Sequence, residues 1–170
     1  HQDGINEKFY AADSLKYERK YQEAIDAYKQ MTFQMSNIEE AIYLDNQLIR
    51  CLLYNKENEE ASLRLDSLKR YHPIEKMSNG NRLLYHINKA YDKINQHKGK
   101  DALPNLYQAD SLVNVVFEGD HLLKLELRTL LGETSYFYTN EPDILELTYH
   151  YLDQSENLLA RYPEWFPFAQ

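Results

Sequence analysis

A twelve-residue interval recurs along this chain, from Ala12 to Ala24, from Ile49 to Ala61 and from Ala90 to Ala102. Four residues after each second member stands a large side chain: Tyr28, Leu65 and Leu106. On two antiparallel helices joined by a short loop, the paired positions fall where the helices cross. Small side chains there let the backbones approach closely, and the large residue one turn on fills the space beside them. A hairpin of this length cannot bury its apolar stripe alone, so it must stack on neighbours. The interval therefore confines the chain to an all-α array of stacked helical hairpins.

Composition supports helix and narrows the partners. The 170 residues suffice for one domain with a real core, and a hydrophobic content of 43% argues against disorder. Five glycines and five prolines leave long segments without a breaker, and Leu, Ala, Glu, Lys and Gln favour helix. The formal charge of −8 repels phosphate, against a nucleic-acid or anionic-membrane role. The apolar runs are far too short to insert into a membrane. Cys51, the only cysteine, excludes an intrachain disulfide and a multi-cysteine zinc site. It lies among Leu48, Ile49, Leu52 and Leu53 and reads as buried filler. The chain starts at His1, not Met, and so reads as processed or trimmed. A mature exported chain outside the cytoplasm is one reading and a trimmed boundary the other.

Periodicity and caps place eight helical segments. They run over Ile5 to Arg19, Tyr21 to Met35, Ser36 to Tyr54, Glu57 to Tyr71, Arg82 to His97, Asp101 to Phe117, His121 to Tyr138, and from the break at 140–143 to Arg161. Ser36 and Glu39 have capping-box spacing, and Pro73 stops the fourth helix. Ser78-Asn79-Gly80-Asn81 reads as a turn, Gly99 as a stop, and Asp101 as a cap with Pro104 in the first turn. Ala24, Ala27, Tyr28 and Met31 share a face, as do Leu84, Ile87, Tyr91 and Ile94.

These residues resemble the tetratricopeptide repeat. That family places a small residue late in the first helix of each hairpin and another early in the second. A large residue follows one turn on, and often a proline after it. Ala12, Ala24 and Tyr28 match in repeat one (5–38), where Lys20-Tyr21-Gln22-Glu23-Ala24-Ile25 reads like the family's helix junction. Ala61, Leu65 and Pro73 match in repeat two (42–75), although Ile49 stands where a small residue is usual. Ala90, Ala102, Leu106 and Ala109 match in repeat three (83–118), and Gly132 in a degenerate repeat four (121–161). The resemblance implies one domain over 1–163, a right-handed superhelix of about eight helices, followed by an aromatic tail at 164–170. It implies a non-enzymatic scaffold that binds a protein or peptide and forms part of a larger signalling or assembly protein.

In that family the first helices line a concave groove. By analogy the lining comprises Phe9, Asp13 and Tyr17, then Tyr43, Asn46, Arg50 and Tyr54, then Tyr91 and Asn95, then Glu133, Tyr136 and Phe137. The mixture of aromatic and polar groups suits an extended peptide or a partner helix. The lysine and asparagine that clamp a terminal carboxylate in some members are replaced by Phe9 and Asp13, against that mode. Two other readings stay open. One is the sensor domain of a membrane-anchored signalling protein, holding a ligand near Tyr91 and Tyr136. The other is a spacer or dimerisation module.

Catalytic patterns are missing from the sequence. It has no phosphate-binding glycine loop, no Gly-x-Ser-x-Gly and no His-Glu-x-x-His. Glu146, His150 and Asp153 lie on one helical stripe, which reads as a solvated face and not as a metal site. His86 and His97 share a face roughly 16 Å apart along the axis, too far for one ion. The expectation is therefore no enzyme, no metal and no cofactor.

Overall fold

The computed structural model of the chain describes residues 2–116 and 121–138, together with Glu146 and Asp153. Among these residues it is all-α, with seven α-helices, two short 3-10 turns and no strand. The helices are α1 (Gln2–Tyr17), α2 (Tyr21–Gln30), α3 (Ile38–Tyr54), α4 (Asn58–Tyr71), α5 (Asn79–Asn95), α6 (Gly99–Val116) and α7 (His121–Tyr138). The eighth expected segment and the aromatic tail lie outside the described residues, apart from Glu146 and Asp153, which are both helical. Contacts divide the chain into two compact units, one up to Asn81 and one from Arg82 onward. The division falls inside α5.

One turn geometry is used three times. Arg19, Lys56 and His97 have φ of 64°, 63° and 60°, left-handed values that L side chains rarely adopt. Each is the middle residue of the three-residue link between two helices, α1 to α2, α3 to α4 and α5 to α6. The left-handed residue donates its N–H three residues back: Arg19 to the Lys16 carbonyl at 3.0 Å, Lys56 to Leu53 at 3.1 Å, His97 to Ile94 at 3.0 Å. The next residue donates five back: Lys20 to Leu15 at 2.9 Å, Glu57 to Leu52 at 2.8 Å, Lys98 to Lys93 at 2.8 Å. These paired bonds satisfy carbonyls that a helix end would otherwise leave open. Glycine is the usual occupant of such a position, so the sequence does not announce the turn.

The recurring interval is a consequence of this turn. In every hairpin the first crossing residue lies seven before the left-handed residue, the second five after, and the large residue nine after. All nine side chains are at most 2% exposed. Within the first unit, α2 packs against both α1 and α3, α3 packs on α4, and α1 also reaches α3. Within the second, α6 packs on α7. Lys93 of α5 reaches α6, donating to the Asp101 carbonyl at 3.1 Å and to Asn105 Oδ1 at 2.8 Å.

Four local expectations are corrected. Helix α2 ends at Gln30, not Met35. Met31 N–H turns back to the Tyr28 carbonyl at 3.1 Å, and the chain tightens into a 3-10 turn at Thr32–Gln34. The cap of α3 is Asn37, one residue after Ser36, and its side chain accepts from Glu40 N–H at 2.9 Å. Tertiary partners select this register. Glu40 accepts from Lys8 Nζ at 2.8 Å and from Ser36 N–H at 2.7 Å, while Glu39 is drawn instead to Asn81 Nδ2 at 2.7 Å. The expected turn at 78–81 is the start of α5, with Ser78 Oγ accepting from Asn81 N–H at 3.2 Å. Gly99 does not stop a helix but opens α6, ahead of the expected start at Asp101. It is buried, and a Cβ there would collide with the Tyr138 ring.

The left-handed turns carry a testable cost. Lys56→Gly removes a Cβ penalty of roughly 1–2 kcal/mol, part of which the greater freedom of glycine in the unfolded chain takes back. Urea unfolding is expected to show a net gain of about 0.5–1 kcal/mol for Lys56→Gly and a loss for the β-branched Lys56→Val.

Candidate functional site

A hydrogen-bonded network joins α1, α2 and α3 around Asp13. The carboxylate accepts from the Tyr28 phenol, from the Tyr43 phenol at 3.1 Å and from Gln47 Nε2 at 3.4 Å. Gln47 Nε2 also donates to Tyr43 Oη at 2.8 Å, and its Oε1 accepts from Lys16 Nζ at 3.2 Å. Phe9 closes the inner side, its ring edge-on to Tyr43 with centroids 4.7 Å apart. Burial, reinforced by the charge of Asp13, pushes both phenols well above the usual tyrosine range, so they stay protonated and donate.

The network ends at the buried Lys16, beneath the exposed Tyr17. The Lys16 ammonium lies 4.9 Å from the centroid of the Tyr17 ring, which is 51% exposed. Tyr10, seven residues earlier on the same stripe, is 59% exposed. Of the residues placed in a groove by analogy, Phe9, Asp13 and Tyr43 are thus in direct contact, and Tyr17 stands at their rim.

The remaining lining residues fall into separate places. Asn46 is fully buried and donates to the Asn81 carbonyl at 3.3 Å. Arg50 and Tyr54 are buried as a pair, Nη2 donating to Oη at 2.7 Å, and Tyr21 packs on Tyr54 at 5.4 Å. In the second unit Tyr91 is buried and donates to Glu126 Oε1 at 3.0 Å. Glu133 is buried and Asn95 is half-buried. Tyr136 and Phe137 are exposed and edge-on to each other at 5.3 Å. Sequence reasoning missed Lys16, Tyr28 and Gln47 as members of the Asp13 network. Tyr28 carried the available signal, because a tyrosine on a core stripe needs an acceptor for its hydroxyl.

A second polar chain fixes a histidine. Lys93 Nζ donates to Asn105 Oδ1, so the Asn105 amide nitrogen points the other way, 3.0 Å from His86 Nδ1. That ring nitrogen must accept, which places the His86 proton on Nε2 and leaves the ring neutral. Burial, with Arg82 and Lys93 nearby, pushes its pKa down to about 4. Lys8, hydrogen-bonded to Glu40, holds that carboxyl below its ordinary range. Cys51 is buried and its thiol is pushed up to about 12 by burial, in keeping with inert filler. Among the described residues no group of three or more His, Cys, Asp or Glu could hold a metal ion, and His150 lies outside them. No described helix is long and apolar enough to cross a membrane.

Two outcomes are expected. Asp13→Ala leaves the buried Tyr28 phenol without its acceptor and costs on the order of 1–3 kcal/mol in chemical denaturation. Adding Tyr28→Phe recovers part of that loss, because no hydroxyl is left to satisfy. For His86, the folded state binds fewer protons than the unfolded chain between pH 6.5 and about 4. Stability therefore falls as pH drops through that window. Denaturation curves of His86→Gln, which keeps an acceptor for Asn105 but does not titrate, are expected to be flatter there. Glu40 acts lower: its contribution is lost only as pH falls through its depressed folded value.

No protein-family model matches the chain, and neither the curated proteins nor the solved structures hold one that is similar to it.

Proposed function

We propose that the chain is a non-enzymatic protein- or peptide-binding module of tetratricopeptide-like helical hairpins, serving as one part of a larger signalling or assembly protein. One observation carries this reading. The first two hairpins use the same turn geometry, α1 lies against α3, and α1 carries two exposed tyrosines beside a polar network that joins it to α2 and α3. Tyr10 and Tyr17 offer large, rigid contact area with polar tips, at little entropic cost on binding. The Asp13 network beneath fixes the backbone that presents them.

The occupant that fits is a peptide, extended or helical, with an apolar side chain for the tyrosines and amide or cationic donors at its edge. The overall charge of −8 favours a neutral or basic segment. Arg50 and Tyr54 are poor probes of this surface. They are at most 7% exposed, so their removal perturbs packing first.

The test is a photo-crosslinking side chain placed at Tyr17, with Leu63 on α4, 65% exposed, as the control position. In cells producing the protein, Tyr17 is expected to yield a discrete adduct that Leu63 does not. The double variant Tyr10→Ala/Tyr17→Ala, crosslinked from Ser14, is expected to lose it. Equal adducts from both positions, or none from Tyr17, would overturn the reading.

A further inference from the structure

Helices α3 and α4 border a second feature, unrelated to the Asp13 network. Asp45 of α3, with Arg64, Ser67, Leu68 and Tyr71 of α4 and His72 beyond its end, lines a half-open surface pocket of about 190 Å³. The α4 residues recur at i, i+3, i+4 and i+7, so one helical stripe supplies most of the wall. Leu68, 3% exposed, gives it an apolar floor.

The polar groups of this cavity are not consumed by the fold. No hydrogen bond among the described residues uses the Asp45 carboxylate, the Ser67 hydroxyl, the Tyr71 phenol or the His72 ring. Arg64 has only a loose contact with Glu60 on its own helix, at 3.7 Å. Burial raises the Asp45 pKa, and the nearby charges of Arg64 and His72 only partly offset this. A carboxyl group in that state gains from any ligand that brings it a donor.

Charge and size then restrict the occupant. A simple anion placed by Arg64 and His72 meets Asp45, and a simple cation placed by Asp45 meets Arg64. A ligand carrying both signs satisfies both walls. The volume is below the roughly 300–1,000 Å³ of sites for drug-sized molecules, so the ligand has few atoms.

We propose that this cavity binds a small zwitterion of free amino-acid size. Its ammonium sits on Asp45, its carboxylate toward Arg64, and its side chain lies against Leu68 and Tyr71. Ser67 and His72 supply further hydrogen bonds at the rim. The site does not depend on the peptide-binding reading, and either can fail without the other.

The experiment titrates each of the twenty protein amino acids into the protein and follows the His72 ring protons by NMR. Ethylammonium and propionate serve as single-charge controls. At least one amino acid is expected to shift the His72 signals saturably, with both controls at least about tenfold weaker. Asp45→Asn, which keeps the shape of the side chain, and Arg64→Gln on the surface of α4 are each expected to weaken binding by about tenfold or more. Circular dichroism on both variants verifies that the helices are retained. Silence from all twenty, equal binding of either control, or full affinity in a folded Asp45→Asn protein would overturn the proposal.

Discussion

Three described hairpins of this protein take their direction from one left-handed turn geometry. The turn is a left-handed residue whose paired hydrogen bonds fix the exit direction of the second helix. The positions seven before and five after that residue are buried in all three hairpins. Ala12 and Ala24, or Ala90 and Ala102, then admit the neighbouring backbone, and Tyr28 or Leu106 seals the flank. Ile49 shows that the first crossing position tolerates a large side chain when Ala61 opposes it. Arg19, Lys56 and His97 each carry strain of order 1 kcal/mol, which the paired hydrogen bonds of the turn help to offset.

The helix interface around Asp13 uses hydrogen bonds where leucines would also have packed. A charged group inside a fold is weak evidence for net stability, since replacing such a group with apolar side chains is often neutral. Its value lies in direction. Phenols from α2 and α3 and an amide from α3 converge on one carboxylate of α1, and a rotation of any helix by one position would break several bonds together. Lys16, itself buried, links the network to the exposed Tyr17 ring, which its ammonium faces. The same interface is therefore both the lock on helix register and the support of the exposed tyrosines.

Seven of the eight expected helices and their buried stripes were legible in the sequence, because burial at helical spacing leaves its mark on side-chain size. Three things were not. The repeated turn was hidden because it uses Arg, Lys and His where glycine would have marked it. The cap of α3 was misplaced by one residue because Ser36 and Asn37 are both competent caps, and only the distant Lys8 and Asn81 choose between registers. The start of α5 was read as a turn because Ser-Asn-Gly-Asn is turn-like locally, whereas Ser78 caps a helix that Glu39 helps to hold. Of the residues that analogy grouped in a groove, Phe9, Asp13, Tyr17 and Tyr43 lie together, while Asn46 and Arg50 are buried elsewhere. Position within a helix predicts which way a side chain points, not whether another helix covers it.

Asp13 and Asp45 show what separates a structural carboxylate from one available for binding. Both lie on the first helix of a hairpin and both are partly buried. Asp13 accepts from three side chains, and a ligand could reach it only by breaking bonds already formed. Asp45 stands over a cavity in which Arg64 and His72 are near and no protein donor is bonded to it. Burial that Arg64 and His72 offset only in part leaves free energy that an added donor can recover. Under the two proposals, a small ligand would gain at the α3–α4 pocket by supplying a donor, and a peptide would gain at Tyr10 and Tyr17 by apolar contact.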